Sequence, residues 1–235
     1  MAGQVVGYDN NTGGDVPEVR ILPYQEHLAM LTRPDGPRDL RAGVEHLIPW
    51  TFAWTGLLAL PAAAVRDHDL FFDERFRGWG VDDLEWGYRI CASGIPIIFR
   101  EDICGLHLPH ARNSGATLAE AKVNWGLFLR KHPGPAVELA AAFGDVEANQ
   151  LFREFTRELR EVSGGTGLSL VRDDDTLIVG SRTDGPESLP LAGLAIPYPD
   201  ASIAECRIRP AIDGFSGRFR DKIHAEARRV AVQIR

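Results

Sequence analysis

The sequence predicts an α/β protein in two parts, a larger region over residues 1–140 and a small α/β unit over residues 141–235. Three observations carry that prediction. Short apolar, β-leaning runs alternate with stretches whose apolar residues recur at helical spacing. The composition changes at Gly134 to Gly144, where Gly, Pro and Ala dominate. Residues 72–89 gather the acids Asp82, Asp83 and Glu85, two tryptophans (Trp79, Trp86) and a Gly-Trp-Gly turn into one short segment that begins as a loop and ends as a helix.

Taken in order, residues 4–8 (Gln-Val-Val-Gly-Tyr) read as a short strand. Residues 9–49 are rich in Asp, Asn, Gly, Pro and Arg, so they predict a long turn-rich excursion with at most one short helix over 24–32. Residues 50–60 are apolar and β-leaning, and Pro61 opens the first turn of a short helix over 61–65. Asp82 and Asp83 stand where a helix begins, with Leu84, Tyr88 and Cys91 at helical spacing and Gly94 as the residue that ends it. Residues 95–99 form a buried-type strand running into Cys104-Gly-Leu-His-Leu-Pro-His. Thr117 and Glu120 have capping-box spacing, which predicts a helix from there to about Lys131. Leu151, Phe152, Phe155, Leu159 and Val162 share one face of a helix over 145–162, stopped by Gly164-Gly165. A strand over 176–179, a loop-rich stretch over 180–194, and a basic amphipathic helix over 215–232 with Phe215, Phe219, Ile223, Ala227 and Val230 inward complete the chain.

Composition narrows the classes of function. With 44% hydrophobic and 25% charged residues in 235, a sizeable core is within reach. The formal net charge of -7 excludes the dominant positive field that a non-specific nucleic-acid binder needs. Cys91, Cys104 and Cys206 are odd in number and widely spaced, which suggests neither a disulfide framework nor a thiolate zinc site and favours a cytoplasmic home. No window approaches the ~20 apolar residues of a membrane span.

The segment Phe-Asp-Glu-x-Phe-x-Gly-Trp-Gly-x-Asp-Asp-x-Glu-x-Gly-Tyr-Arg resembles the C-terminal half of the catalytic domain of inverting, GT-A fold glycosyltransferases of the family 2 and galactosyltransferase type, whose usual form is Gly-Trp-Gly-x-Glu-Asp. The resemblance extends over about residues 4–131, with Trp54-Thr-Gly-Leu-Leu-Ala-Leu-Pro before the motif and His-Leu-Pro-His after it. It implies a sugar transferase using a nucleotide-diphosphate sugar donor and a carbohydrate or other hydroxyl acceptor. Asp83 matches the family's catalytic base, which takes the proton of the acceptor hydroxyl. Asp82 replaces the usual Glu that binds sugar hydroxyls, one methylene shorter. Trp79 would offer a flat face to a sugar ring, while Gly78 and Gly80 let the backbone come close. His107 and His110 stand where the family places a metal-binding histidine, with His110 preferred, so a divalent cation (Mn2+ or Mg2+) is implied.

The family's nucleotide-binding strands and its Asp-x-Asp lie upstream of the matched segment, and Asp67-His-Asp69 has the letters of that motif in a different place. The resemblance therefore also implies an alternative: a partner-dependent or non-catalytic remnant that binds acceptor and needs another chain for the donor. The tail has its own likeness. Ile196-Pro-Tyr-Pro-Asp-Ala-Ser and Glu226-Ala-Arg-Arg-Val are similar to the middle of class I S-adenosylmethionine methyltransferases, but Gly180-Ser-Arg-Thr-Asp-Gly185 lacks the Gly-x-Gly turn, so the likeness implies a degenerate Rossmann-like remnant, with an S-adenosylmethionine-dependent methyltransferase as the second alternative function.

Overall fold

In the computed structural model, which describes residues 1–7, 23–31, 39–107, 114–182 and 187–235, strand β1 (Ala2–Gly7) pairs in parallel with β2 (Phe99–His107). The chain divides into two compact units, Met1–Asn124 and Trp125–Arg235. The architecture is mixed α/β, as the alternation of strand-like and helix-like runs predicts.

In the first unit the crossover from β1 to β2 carries helices α1 (Tyr24–Leu31), α2 (Ala62–Asp67) and α3 (Asp82–Ala92). The β1–β2 register slips between Gly3 and Gln4, so that Gly3 faces Arg100 while Gln4 faces Cys104. Residues 50–60 correct the sequence expectation: instead of a strand they form two 3-10 turns, Pro49–Phe52 and Thr55–Leu57, with a single antiparallel bridge from Ala2 to Leu58. Packing overrides β propensity here. Trp50, Phe52 and Ala53 are buried, and α3 comes so close that a Cβ on Gly87 would lie 2.4 Å from Ala53 Cβ and 2.9 Å from Trp50 O. The second strand begins at Phe99, four residues later than its apolar run suggests, because Ile95 N–H returns to Ile90 O at 3.2 Å and closes the end of α3.

Helix α4 (Ser114–Lys131) begins three residues before Thr117, so Glu120 is not its capping residue. In the second unit, α5 (Pro135–Phe143) occupies what composition alone suggests is a break, with Pro135 at its first position and Val137, Leu139 and Ala140 buried. Helix α6 (Asp145–Ser163) matches its periodicity, and Gly164 ends it in the left-handed region at φ 65°. The sheet order is β5-β3-β4-β6-β7, from β3 (Ser169–Asp173), β4 (Thr176–Ser181), β5 (Glu187–Leu189), β6 (Ile203–Ile208) and β7 (Ala231–Ile234). β3 and β4 form a hairpin over Asp174-Asp175, whereas β4, β6 and β7 run parallel. Helix α7 (Gly217–Val230) buries Phe219, Ile223, Ala227 and Val230, the face its spacing predicts, and Phe215 packs beside Phe155 at 6.1 Å.

One buried carboxylate organises the loop before β6. Glu138 of α5 is fully buried and accepts the backbone N–H groups of Ala192 (2.9 Å), Gly193 (2.6 Å) and Leu194 (2.8 Å). Burial pushes its carboxyl up to about 7, against the opposing pull of those amides. Further along, Arg229 donates to Ile196 O and Tyr198 O and pairs with Glu226 and Asp200, while Arg130 donates to Pro197 O. The Ile-Pro-Tyr-Pro segment is thus laced to helices by side chains. Gly180 is needed for packing, since a Cβ there would lie 2.8 Å from Ile212 Cδ1. Residues 183–186 of the same glycine loop lie outside the described residues.

Candidate functional site

The candidate site grows from the start of α3. Gly78 (φ 76°), Gly80 (φ 83°) and Val81 (φ 75°) all sit in the left-handed region. For the two glycines this conformation is cheap; for β-branched Val81 it is a strained backbone, tolerated because its side chain is 95% removed from solvent in the core, at 5% exposure. These three left-handed residues turn the chain sharply, so that Asp82 and Asp83 enter the first helical turn directly after the turn that carries Trp79.

Both acids stand at the positive end of the helix dipole. Asp83 Oδ1 accepts the N–H of Leu84 at 2.9 Å, and its Oδ2 faces the N–H of Thr55 at 3.4 Å, which ties the carboxylate to the second 3-10 turn. Asp82 is half-buried beside it. Trp79 keeps 55% of its surface exposed. Its indole therefore presents an apolar face to solvent, at odds with simple core packing.

The other notable residues of the segment are structural. Glu85 is fully buried and takes Arg89 at 3.0 Å on both oxygens, while Arg89 Nη2 donates to Phe71 O at 2.6 Å. Trp86 donates its indole N–H to Leu70 O at 2.8 Å and stacks on Phe72 with centroids 4.7 Å apart. These contacts fix the loop of residues 70–76 against α3. Within it, Asp73 accepts both the backbone N–H and the guanidinium of Arg75.

The structure thus brings Gly78, Trp79, Gly80, Asp82 and Asp83 together at one helix start. His107 ends β2 and is half-buried, and His110 lies outside the described residues. Among the described residues no three His, Cys, Asp or Glu side chains converge as a group able to hold a metal ion. No helix of the described residues is long and apolar enough to cross a membrane.

Three supporting groups are invisible to motif reading. Thr55 contributes only its backbone N–H, so no side-chain signal could reveal it. Glu120 and Asn124 of α4 lie one turn apart and reach the Gly-Trp-Gly turn: Glu120 Oε2 accepts Trp79 N–H at 2.7 Å, and Asn124 Nδ2 donates to Gly80 O at 2.9 Å and Arg77 O at 3.1 Å. An Asn in mid-helix, where its propensity is poor, is the one sequence signal that could have flagged this contact.

No family model matches the chain. No solved structure matches it. Among curated proteins it is 29% identical over 241 residues to a validoxylamine A glucosyltransferase of Streptomyces hygroscopicus subsp. limoneus, a match covering 80% of this chain and 51% of that protein. It is 38% identical over 124 residues to a validoxylamine A glucosyltransferase of Streptomyces hygroscopicus subsp. jinggangensis, covering 48% of this chain and 28% of that protein. The chain spans about half the length of the first relative, and less of the second. Along most of its length, then, this chain is similar to one enzyme named as a glucosyltransferase, and along about half of its length to a second.

Proposed function

We propose that the chain takes part in sugar transfer from a nucleotide-diphosphate sugar to an acceptor hydroxyl, with inversion at the anomeric carbon. The observation that carries the reading is the α3 entrance: an exposed Trp79 followed, through strained Val81, by Asp82 and Asp83 in the first helical turn. The similarity to two glucosyltransferases supports it. In the reaction, the acceptor oxygen forms a bond to the anomeric carbon as the bond from that carbon to the diphosphate oxygen breaks. Asp83 receives the hydroxyl proton, and the nucleoside diphosphate leaves with the electron pair. The Leu84 N–H holds the Asp83 carboxylate in place at the positive end of the helix dipole before the reaction begins. Trp79 offers the acceptor ring a flat apolar surface, and Asp82 accepts from its other hydroxyls.

The relatives' names suggest glucosyl transfer to validoxylamine A as the first substrate pair to try. Mass spectrometry of the chain incubated with UDP-glucose or another nucleoside-diphosphate glucose and that acceptor reads the product directly. Product from the wild type and at least about 100-fold less from Asp83→Asn is the expected result; undiminished turnover by Asp83→Asn would sink the assignment of the base.

Metal dependence belongs to the proposal only through His107 and His110. The described residues do not supply a complete ligand set, so no step is routed through a metal. Chelation with EDTA and re-addition of Mn2+ or Mg2+ reads the dependence. The alternative, an acceptor-binding chain that relies on a partner chain for the donor, is separated from the leading reading by calorimetry with UDP. Tight binding to the isolated chain contradicts the alternative.

A further inference from the structure

The geometry points to Glu120 and Asn124 as positioning residues that hold the Trp79 platform and the Asp82–Asp83 helix start in one rigid arrangement, an inference that rests on the sugar-transfer reading of that site. Both belong to one face of α4, one turn apart, and between them they satisfy two backbone groups of the Gly-Trp-Gly turn and the Arg77 carbonyl just before it. Glu120 Oε2 takes Trp79 N–H at 2.7 Å; Asn124 Nδ2 gives its two protons to Gly80 O at 2.9 Å and Arg77 O at 3.1 Å. Asn124 is 2% exposed, so its two donors are desolvated, and losing their acceptors would strand them.

Two features show that the arrangement is a fitted contact. A Cβ on Gly78 would lie 2.5 Å from Glu120 Cδ, so the glycine makes room for the carboxylate as well as adopting φ 76°. A Cβ on Gly80 would touch Ala121 Cβ at 3.8 Å, which places the small side chain between the two polar ones against the turn. α4 therefore grips the turn by its backbone alone. The Trp79 backbone is thereby anchored while the residue itself stays 55% exposed.

The consequence for chemistry runs through Gly80. Its carbonyl is held by Asn124, and the next residue, Val81, is strained and buried; Asp82 and Asp83 follow at once. Fixing Gly80 O fixes the direction in which α3 starts, and with it the distance between the Trp79 face and the Asp83 carboxylate. A sugar stacked on one must have its hydroxyl at the other, and misplacement on the order of 1 Å costs about 100-fold in rate.

The test uses the full chain and four variants: Asn124→Asp, Asn124→Ala, Glu120→Gln and Glu120→Ala. Asn124→Asp is isosteric but points a carboxylate oxygen at two carbonyl oxygens, so the grip is lost. Glu120→Gln keeps an acceptor for Trp79 N–H and rescues what Glu120→Ala loses. Two readouts are taken. Limited trypsin digestion reports release of the turn as faster cleavage after Arg77. Steady-state kinetics report the acceptor KM, the donor KM and kcat separately.

With Asn124→Asp or Asn124→Ala, cleavage after Arg77 accelerates about tenfold. kcat/KM for the acceptor falls on the order of 100-fold, the donor KM stays put, and Glu120→Gln behaves like wild type. If Asn124→Asp does not unfold cooperatively, Asn124→Ala, which adds no charge, carries the same readouts. Unchanged cleavage overturns the inference, as does faster cleavage with undiminished transfer by an active chain. A wild type that transfers no sugar, with the turn still protected from trypsin, sinks the sugar-transfer reading itself and this inference with it.

Discussion

Arg41 and Asp39 form an ion pair from which solvent is wholly excluded: Nη2 to Oδ2 is 2.6 Å and both side chains have no exposed surface. The pair stands in for a neighbouring strand. Asp39 Oδ2 accepts Val5 N–H at 2.7 Å and Arg41 Nη2 donates to Gly3 O at 2.9 Å, so two backbone groups on one edge of β1 are satisfied by side chains. Arg41 Nη1 also reaches Phe52 O at 2.8 Å, and the guanidinium lies 4.1 Å from the Trp54 ring centroid. β1, the first 3-10 turn and the aromatic that precedes the second are thereby joined at one cation.

Arg41→Met should destabilise the first unit by about 3–5 kcal/mol, because it leaves the Asp39 carboxylate buried and uncompensated. Arg41→Lys should recover only part of this, since a lysine cannot supply the forked donors or lie flat on Trp54. Urea unfolding of the three proteins measures the order. Burial works to raise the Asp39 carboxyl, but the Arg41 and Val5 hydrogen bonds outweigh it and hold it below the usual carboxylate range. A depressed value means that this stabilisation is complete above the unfolded pKa of about 4 and is lost as pH falls toward the folded one. Asp39→Asn, which cannot titrate, should flatten that acid limb.

Asp83→Asn should lower sugar transfer by about 100- to 10,000-fold, the range that a positioned general base supplies. Its amide can still accept through oxygen, so the stability and far-UV circular dichroism should hardly change. Asp82→Asn should act chiefly on the acceptor KM. Steady-state rates on the two variants, compared side by side, separate proton transfer from binding.

Gly87→Ala should destabilise by about 1–3 kcal/mol through overpacking. The added methyl would lie 2.4 Å from Ala53 Cβ and 2.9 Å from Trp50 O, and one of these neighbours is backbone that cannot swing away. Because α3 must then withdraw from the 3-10 turn, the Thr55 to Asp83 contact should lengthen and activity fall beyond what stability explains. Chemical denaturation with a parallel activity assay checks both. Full activity in a destabilised Gly87→Ala chain would show that Thr55 does not help to place Asp83.

Glu138 gives a pH dependence of opposite sign to that of Asp39. Its carboxyl is raised by burial from 4.5 to about 7, so between those values the folded protein binds a proton that the unfolded chain has lost. Stability of the second unit should therefore decline as pH rises from about 4.5 to about 7. Glu138→Gln should abolish this slope. It should also cost roughly 1–3 kcal/mol at low pH, as its amide meets one of the N–H groups of Ala192, Gly193 and Leu194. Thermal unfolding of both proteins across that pH range provides the comparison.

Several parts of this architecture are legible in the sequence because they rest on local rules. The α6 and α7 faces follow from helical periodicity, the start of α3 from acids at a helix dipole, and the ends of α3 and α6 from Gly94 and Gly164. Asp83 follows Trp79 by four residues, so the two belong to one turn-to-helix segment that the sequence itself displays. Residues 50–60 mislead because their apolar side chains serve 3-10 turns that bury Trp50 and Phe52. β3, β5, β6 and β7 escape notice because short strands in a mixed sheet owe their existence to pairing partners far away in the chain.

The sequence alone determined which chemical groups stand together: an aromatic ring, two acids and the glycines that let the chain turn beside them. Only the tertiary structure decided how they are held. Glu120 and Asn124 lie some forty residues beyond the turn, at separations of 41 and 44 to 47 residues, and Asp39 and Arg41 reach β1 across 34 and 38. Such contacts leave no periodic trace, because a side chain that satisfies a distant backbone amide or carbonyl recognises a group that every residue carries.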